Sequence, residues 1–305
     1  NKIISIRGMH DLINDQFLYH DDIIKKFVSI SKKFNFKPIS TPIVESSEVF
    51  TRTLGDSSDV VMKEMYSFED KSGESITLRP EGTAGIARAV INNGLTQELP
   101  LKLYYYGPMF RYERPQKGRL RQFHQIGVES LGQISAHSDI EVILSGYKLL
   151  QELGLEKKIF LEVNSIGDDK TREDYKIVLI KYLNSKRSSL SKISIQRLEL
   201  NPLRILDSKE IEDKNIIKDA PKINDYLSKE SESHFNQVIK ILDYLKINYS
   251  VNPCLVRGLD YYCQTTFEFI TKNLEKNLTV LAGGRYNGLI SQLGGPQIPG
   301  VGWAA

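Results

Sequence analysis

Two runs of alternating apolar and polar residues flank a basic break, and they leave the chain little local choice. Before the break stand Leu103, Tyr105 and Met109; after it stand Phe123, Ile126 and Val128. A period of two puts alternate side chains on one face of a strand, and a break holding proline and glycine reverses the chain. Two antiparallel strands joined by a loop follow, from Leu101 to Gly132. The stretch Gly107 to Glu129 carries Arg111, Arg114, Lys117, Arg119 and Arg121 around two carboxylates, Glu113 and Glu129. Phe110, Tyr112 and Phe123 are interleaved, and Pro115 and Gly118 break the middle. Such a loop offers cations for phosphates and a ring for a base. As a plain hairpin tip, the same arginines would lie along the surface with their heads in water.

The chain has 305 residues, 40% of them apolar and 26% charged, which is ordinary globular chemistry with room for one large domain or two. No apolar run approaches the ~18 residues of a membrane helix, and no basic-then-apolar leader opens the chain. A soluble, cytoplasmic protein with no membrane partner is expected. The net charge of +3 is small, so any nucleic-acid contact must come from local clustering. Cys254 and Cys263 lack a CxxC spacing and read as free thiols, and the five histidines show no paired-ligand spacing, so no protein-held metal is expected.

Asp15 to Phe34 has helical spacing with Asn14 or Asp15 as N-cap. Phe36 to Val44 reads as one extended edge strand interrupted by Pro38 and Pro42. A short helix follows at Ser47 to Leu54. A hairpin joins Met65–Glu69 to Ser75–Leu78 across Asp70-Lys71-Ser72-Gly73. Glu81 and Thr83 stand where a strand meets a helix that runs to about Asn92. A carboxylate and a hydroxyl there suit a ligand ammonium; equally, Thr83 can satisfy a first-turn amide and Glu81 the macrodipole. Ser138 to Leu153 reads as a helix, with His137 on the surface near its cap, and Ile159 to Asn164 as a strand. From Gly167 to Leu245 the composition shifts to lysine, glutamate and serine with helical stripes, a small helical insertion whose Lys181, Lys186, Arg187, Lys192 and Arg197 can touch RNA or simply be solvated. Arg257 stands beside Gly258 and the pair Tyr261-Tyr262, and Thr265 to Thr271 is a strand. Gly283-Gly284 reads as a turn leading into a helix through Leu293.

Phe110-Arg111-Tyr112-Glu113, the basic loop and Phe123 resemble the second signature motif of class II aminoacyl-tRNA synthetases. The segments Arg114 to Arg119 and Gln122 to Gln125, and then Leu255 to Tyr262 and Leu281 to Tyr286, are similar to histidyl-tRNA synthetases in particular. Pro42 matches the proline of the first class II motif, which implies a homodimer built around that region. The resemblance spans essentially the whole chain. It implies an α+β fold: a mostly antiparallel class II sheet flanked by helices, with the catalytic domain in 1–166 and 247–305 and a helical insertion at 167–246.

The reaction the resemblance implies activates L-histidine with ATP, accompanied by Mg2+, to histidyl-adenylate and pyrophosphate. Histidine then passes to the 3′ end of its tRNA. By resemblance, Arg111 and Arg257 are catalytic: both contact the α-phosphate, and Arg111 also the substrate carboxylate. Glu113, Arg119, Arg121 and Phe123 join Arg111 in holding ATP. The implied histidine site includes Arg111 and Arg257; in it Glu129 accepts from the imidazole and Tyr262 donates to it, Tyr261 is pocket wall, and Glu81, Thr83 and Gln125 hold the ammonium. Arg114, Gln116, Lys117 and Arg119 meet the tRNA acceptor end. Gly300 to Ala305 resembles the start of the third class II motif. The resemblance thus implies a core that ends before that motif's arginine and before the anticodon-binding domain, with weak or absent turnover expected. A non-catalytic regulatory subunit of histidine biosynthesis is the alternative reading. It explains a missing anticodon domain but leaves the phosphate-gripping arginines without a purpose.

Overall fold

The computed structural model describes residues 2–55, 58, 60–116, 118–271 and 278–305. Helix α1 (Asp15–Lys33) buries Phe27 and Ile30 on its apolar stripe; Asn14 holds the N-cap position at φ 50° but makes no side-chain cap bond. The stretch read as one strand from Phe36 to Val44 is two short pieces in different sheets: β1 (Lys37–Pro38) and β2 (Val44–Ser46). Pro38 and Pro42 lack the N–H that a continuous ladder requires, and the chain leaves one sheet for the other between them. Helix α2 (Ser47–Leu54) follows, then the hairpin of β3 (Tyr66–Glu69) and β4 (Ser75–Leu78). Asp70 ties that turn by accepting from the amides of Ser72 (2.8 Å) and Glu74 (3.0 Å), with Gly73 at φ 86°.

Next come α3 (Thr83–Asn92) and the long hairpin, β5 (Leu101–Phe110) and β6 (Gln122–Leu131), paired from Leu101–Leu131 to Phe110–Gln122. Then follow α4 (Ala136–Glu152), β7 (Ile159–Ser165), and four helices, α5 (Asp169–Ser185), α6 (Lys192–Leu200), α7 (Ile211–Ile217) and α8 (Lys229–Tyr244). The remainder is β8 (Tyr249–Val251), β9 (Cys263–Thr271), β10 (Thr279–Arg285), α9 (Leu289–Gln292) and β11 (Gly300–Ala304). Gly283 and Gly284 do not turn the chain. They lie inside β10 opposite Phe267 and Thr266, and the helix that follows covers only Leu289–Gln292. A Cβ on Gly284 would stand 2.7 Å from the Thr265 carbonyl and 2.9 Å from the Tyr262 ring, so glycine is needed there for close approach rather than for reversal.

Two compact units result. One comprises Asn1–Ile134, Glu141–Lys157 and Asn287–Ala305. It holds the neighbouring strands β1-β5-β6-β11 and the three-stranded sheet β2-β4-β3. Phe27 on α1 meets Tyr104 and Trp303 edge to face at 5.7 and 5.8 Å, and the buried Trp303 donates its indole N–H to Ser145 Oγ on α4 (2.9 Å). The other unit comprises Ser135–Ile140 and Lys158–Tyr286. Its strands lie in the order β10-β9-β7-β8, and α8 buries Phe235, Val238 and Leu242 toward β7 and β9. Asp168 caps α5 by accepting from the Thr171 amide (2.8 Å) and also accepts from Ser228 Oγ (2.6 Å), which itself caps α8. The fold is mixed α+β, a largely antiparallel sheet flanked by helices. No helix among the described residues is long and apolar enough to cross a membrane.

Candidate active site

In the first unit, β6 carries Glu129 into a closed interior. It is 1% exposed and lies opposite Leu103 on β5 and Gly302 on β11. Thr83 Oγ1 donates to Glu129 Oε1 at 2.8 Å. Glu81, beside it, accepts from the amides of Thr83 (2.8 Å) and Ala84 (2.7 Å) and so closes the first turn of α3. Glu81 thus takes the amide-capping duty that the sequence reading gave to Thr83, and the Thr83 hydroxyl turns to Glu129 instead. Burial pushes the Glu81 carboxyl above its ordinary range, against those amides and the charge of Arg111. Tyr105 fills the space between; a Cβ on Gly127 would stand 2.5 Å from its ring. Gln125, two strand positions from Gly127, has a buried Oε1 without a partner among the described residues.

Beyond the end of β5 the cations gather. Arg111 donates Nε to the Pro80 carbonyl (2.9 Å), and its guanidinium centre lies 5.3 Å from the Phe123 ring centroid. Its Nη1 stands 4.0 Å from Glu113 Oε1, while Arg119 Nη1 reaches Glu113 Oε2 at 3.2 Å. Arg121 stacks over Tyr112 at 3.8 Å and donates to the Glu113 carbonyl (3.2 Å). The Glu113 carboxylate therefore sits between Arg111 and Arg119, with Arg121 on its backbone carbonyl, a cluster that can rearrange around an incoming polyphosphate. At the tip, Arg114, Gln116 and Arg119 are exposed, and Gln116 and Arg119 exchange backbone hydrogen bonds across Gly118. Lys117, assigned to the tRNA acceptor end, lies outside the described residues.

In the second unit Arg257 is ion-paired with Glu268 on β9, and its guanidinium centre lies 5.5 Å from the Tyr262 ring centroid. Its Nε is buried without a partner among the described residues. Tyr261 and Tyr262 are both buried, with ring centroids 4.6 Å apart. Glu268 also accepts from Thr279 Oγ1 (2.8 Å).

Four supporting residues escaped the sequence reading. Arg79, 7% exposed, braces the entry to α3 by donating to the carbonyls of Pro108 (3.0 Å) and Thr41 (2.8 Å). Gly8, at φ 82°, offers its carbonyl to the amides of Arg121 (2.8 Å) and Gln122 (3.2 Å). Glu268 holds Arg257, and Asp139 holds the fully buried Arg285, to which Ser138 Oγ adds a bond at 2.8 Å. Their partners are distant in the chain. Only the carboxylate of Glu268, set between Phe267 and Phe269, hinted at any of them.

The family model described as histidyl-tRNA synthetase matches residues 8–305. The chain belongs to that family. A histidine–tRNA ligase from Rhodospirillum rubrum is 52% identical to this synthetase-family chain over 300 residues, covering 98% of this chain and 72% of that protein. The crystal structure of the apo S. aureus histidyl-tRNA synthetase superposes with a TM-score of 0.79 at 37% identity, covering 99% of this chain and 71% of the other. An ATP phosphoribosyltransferase regulatory subunit/histidyl-tRNA synthetase from Bacillus halodurans shares the fold, with a TM-score of 0.73 at 22% identity over 99% of this chain and 80% of the other.

Proposed function

We propose that this member of the histidyl-tRNA synthetase family is a histidine–tRNA ligase. It activates L-histidine with ATP and passes the histidyl group to the 3′ end of its tRNA in the cytoplasm. The observation that carries the reading is 52% identity, over 98% of the chain, to a protein named as that ligase. In the first step the histidine carboxylate attacks the α-phosphorus and pyrophosphate leaves. No protein nucleophile is required. The step asks for two anions held in line while charge grows on phosphate oxygens, which fixed guanidinium groups answer. Arg111 takes the α-phosphate and the substrate carboxylate, and Arg257 takes the α-phosphate. Glu113, Arg119 and Arg121 hold the adenine amino group and the outer phosphates, and Phe123 stacks on the base. The Arg111–Phe123 contact supports this, since the ring is already matched to a planar partner. ATP enters as its magnesium complex, the ion being carried by phosphate oxygens.

Glu129 accepts from one imidazole nitrogen and the Tyr262 hydroxyl donates to the other, with Tyr261 as wall; Glu81, Thr83 and Gln125 hold the ammonium. The burial of Glu129 supports its part. A buried acceptor left unpaired by a substrate lacking the N–H is costly, on the order of 10⁴ in discrimination. Arg114, Gln116, Lys117 and Arg119 meet the acceptor end of tRNA. Residues 167–246 form a helical insertion between the catalytic segments 1–166 and 247–305. A homodimer forms around Pro42, where Ile43 and Val44 are 44% and 39% exposed.

Histidine-dependent ATP–pyrophosphate exchange tests the reading. Exchange that requires histidine and falls by at least ~10² in Arg111→Ala and in Arg257→Ala is expected. Histidine binding with no affinity for ATP would replace the ligase with a regulatory subunit.

A further inference from the structure

We infer that Arg204, assisted by Asn201, is a positioning residue for Arg257. The inference rests on Arg257 being the phosphate-binding arginine proposed above. Residues 257–262 run between β8 and β9, outside any helix or strand. The Arg257 side chain is held by Glu268 and lies beside Tyr262, but its backbone needs a separate anchor. Two bonds from the helical segment supply one. Arg204 Nη1 donates to the Gly258 carbonyl at 2.8 Å, and Asn201 Nδ2 donates to Asp260 Oδ1 at 2.9 Å. Gly258 leaves room for this approach, because a Cβ there would stand 3.1 Å from Arg204 Nη1.

The anchor itself is stiff. Arg204 belongs to the 3₁₀ turn Pro202–Ile205, in which Pro202 and Ile205 are buried. Its amide donates to the Asn201 carbonyl (3.1 Å), and its own carbonyl accepts from Arg197 Nη1 (3.2 Å). A firm turn in the helical segment thus grips the carbonyl of Gly258, the residue next to Arg257 and 54 residues further along the chain than Arg204. Gly258 is only half-buried, so water can replace the guanidinium at its carbonyl, and the fold does not require the bond. Placement of Arg257 does require it: a misplacement of about 1 Å in a catalytic group costs on the order of 10²-fold in rate.

The test is Arg204→Met in the intact protein, measured by histidine-dependent ATP–pyrophosphate exchange and by thermal unfolding. The expected result is kcat lower by ~10-fold or more with KM for ATP and histidine changed by about twofold at most, and an unfolding midpoint within about 2 °C of the parent. Arg204→Lys recovers part of the loss, and Asn201→Ala shows the same split at smaller size. Unchanged kcat in Arg204→Met, or a loss that merely tracks a fall in thermal stability, overturns the inference. If Arg204→Met does not fold, Asn201→Ala decides by the same criterion. Arg257→Ala run alongside separates the two failures. If it retains full exchange, the reading of Arg257 falls and this inference with it; if it loses exchange while Arg204→Met does not, only the inference falls.

Discussion

At the residue scale, the site is made of charges whose partners the sequence does not announce. Asp139 shows the pattern. Burial works against its charge, but His234 Nε2 at 3.3 Å and the fork of Arg285 outweigh that and hold its carboxyl below the usual range. Both members of the Asp139–Arg285 pair are fully buried, so removing one strands the other in a dry interior. Arg285→Met is expected to cost about 3–5 kcal/mol, read as a shift in the urea midpoint with unchanged slope. Arg111, Glu113, Arg257 and the tyrosines could be named from sequence because they fall inside recognisable runs. Arg79, Gly8, Glu268 and Arg204 could not, because each acts on a group that only the folded chain brings near.

At the element scale, hairpins were legible and glycine was ambiguous. Asp70 and Gly73 specify a turn by local chemistry, and the strands on either side alternate, so that hairpin fell where expected. Gly283-Gly284 carries the same local signal, yet the deciding neighbours are the Tyr262 ring and the Thr265 carbonyl, which no window around residue 284 contains. Phe36 to Val44 misled for a related reason: nothing within the stretch tells that Lys37–Pro38 and Val44 pair with different sheets. The caps of α5 and α8 carry a prediction at this scale. Asp168 serves both helices. Partial burial opposes its ionisation, but the bonds from Ser228 and Thr171 outweigh it and lower the carboxyl from 3.8 to about 2. A folded value below the unfolded one gives stability that is full above 3.8 and is lost as the pH falls toward about 2. Asp168→Ala is expected to be less stable by about 1 kcal/mol at neutral pH. That gap should close across the same acid window, as followed by urea unfolding at a series of pH values.

At the scale of the whole molecule, charge and surface decide what the protein meets. A net charge of +3 gives little long-range pull on a polyanion, so the tRNA contact proposed above rests on local clustering, for which the exposed tip of the β5–β6 hairpin is the proposed place. Arg114→Glu is expected to raise KM for tRNA in aminoacylation by about fivefold or more and to make it more sensitive to salt. Pyrophosphate exchange without tRNA should stay within about twofold of the parent. The proposed dimer makes a separate demand. Ile43→Asp places a charge in an apolar contact region, and sedimentation velocity should find that variant shifted toward monomer while the parent sediments as a dimer. A parent that sediments as a monomer would remove the dimer from the account.

Gly302 on β11 has a consequence for anyone redesigning the amino-acid choice proposed for Glu129. Any Cβ at that position would run into the Glu129 carboxylate across the strand pair. The two sites are 173 positions apart in the numbering yet share one small volume, so they form a single unit of design. A library that varies 129 alone explores only side chains that tolerate a bare neighbour; one that varies 302 alone evicts the acid it was meant to preserve.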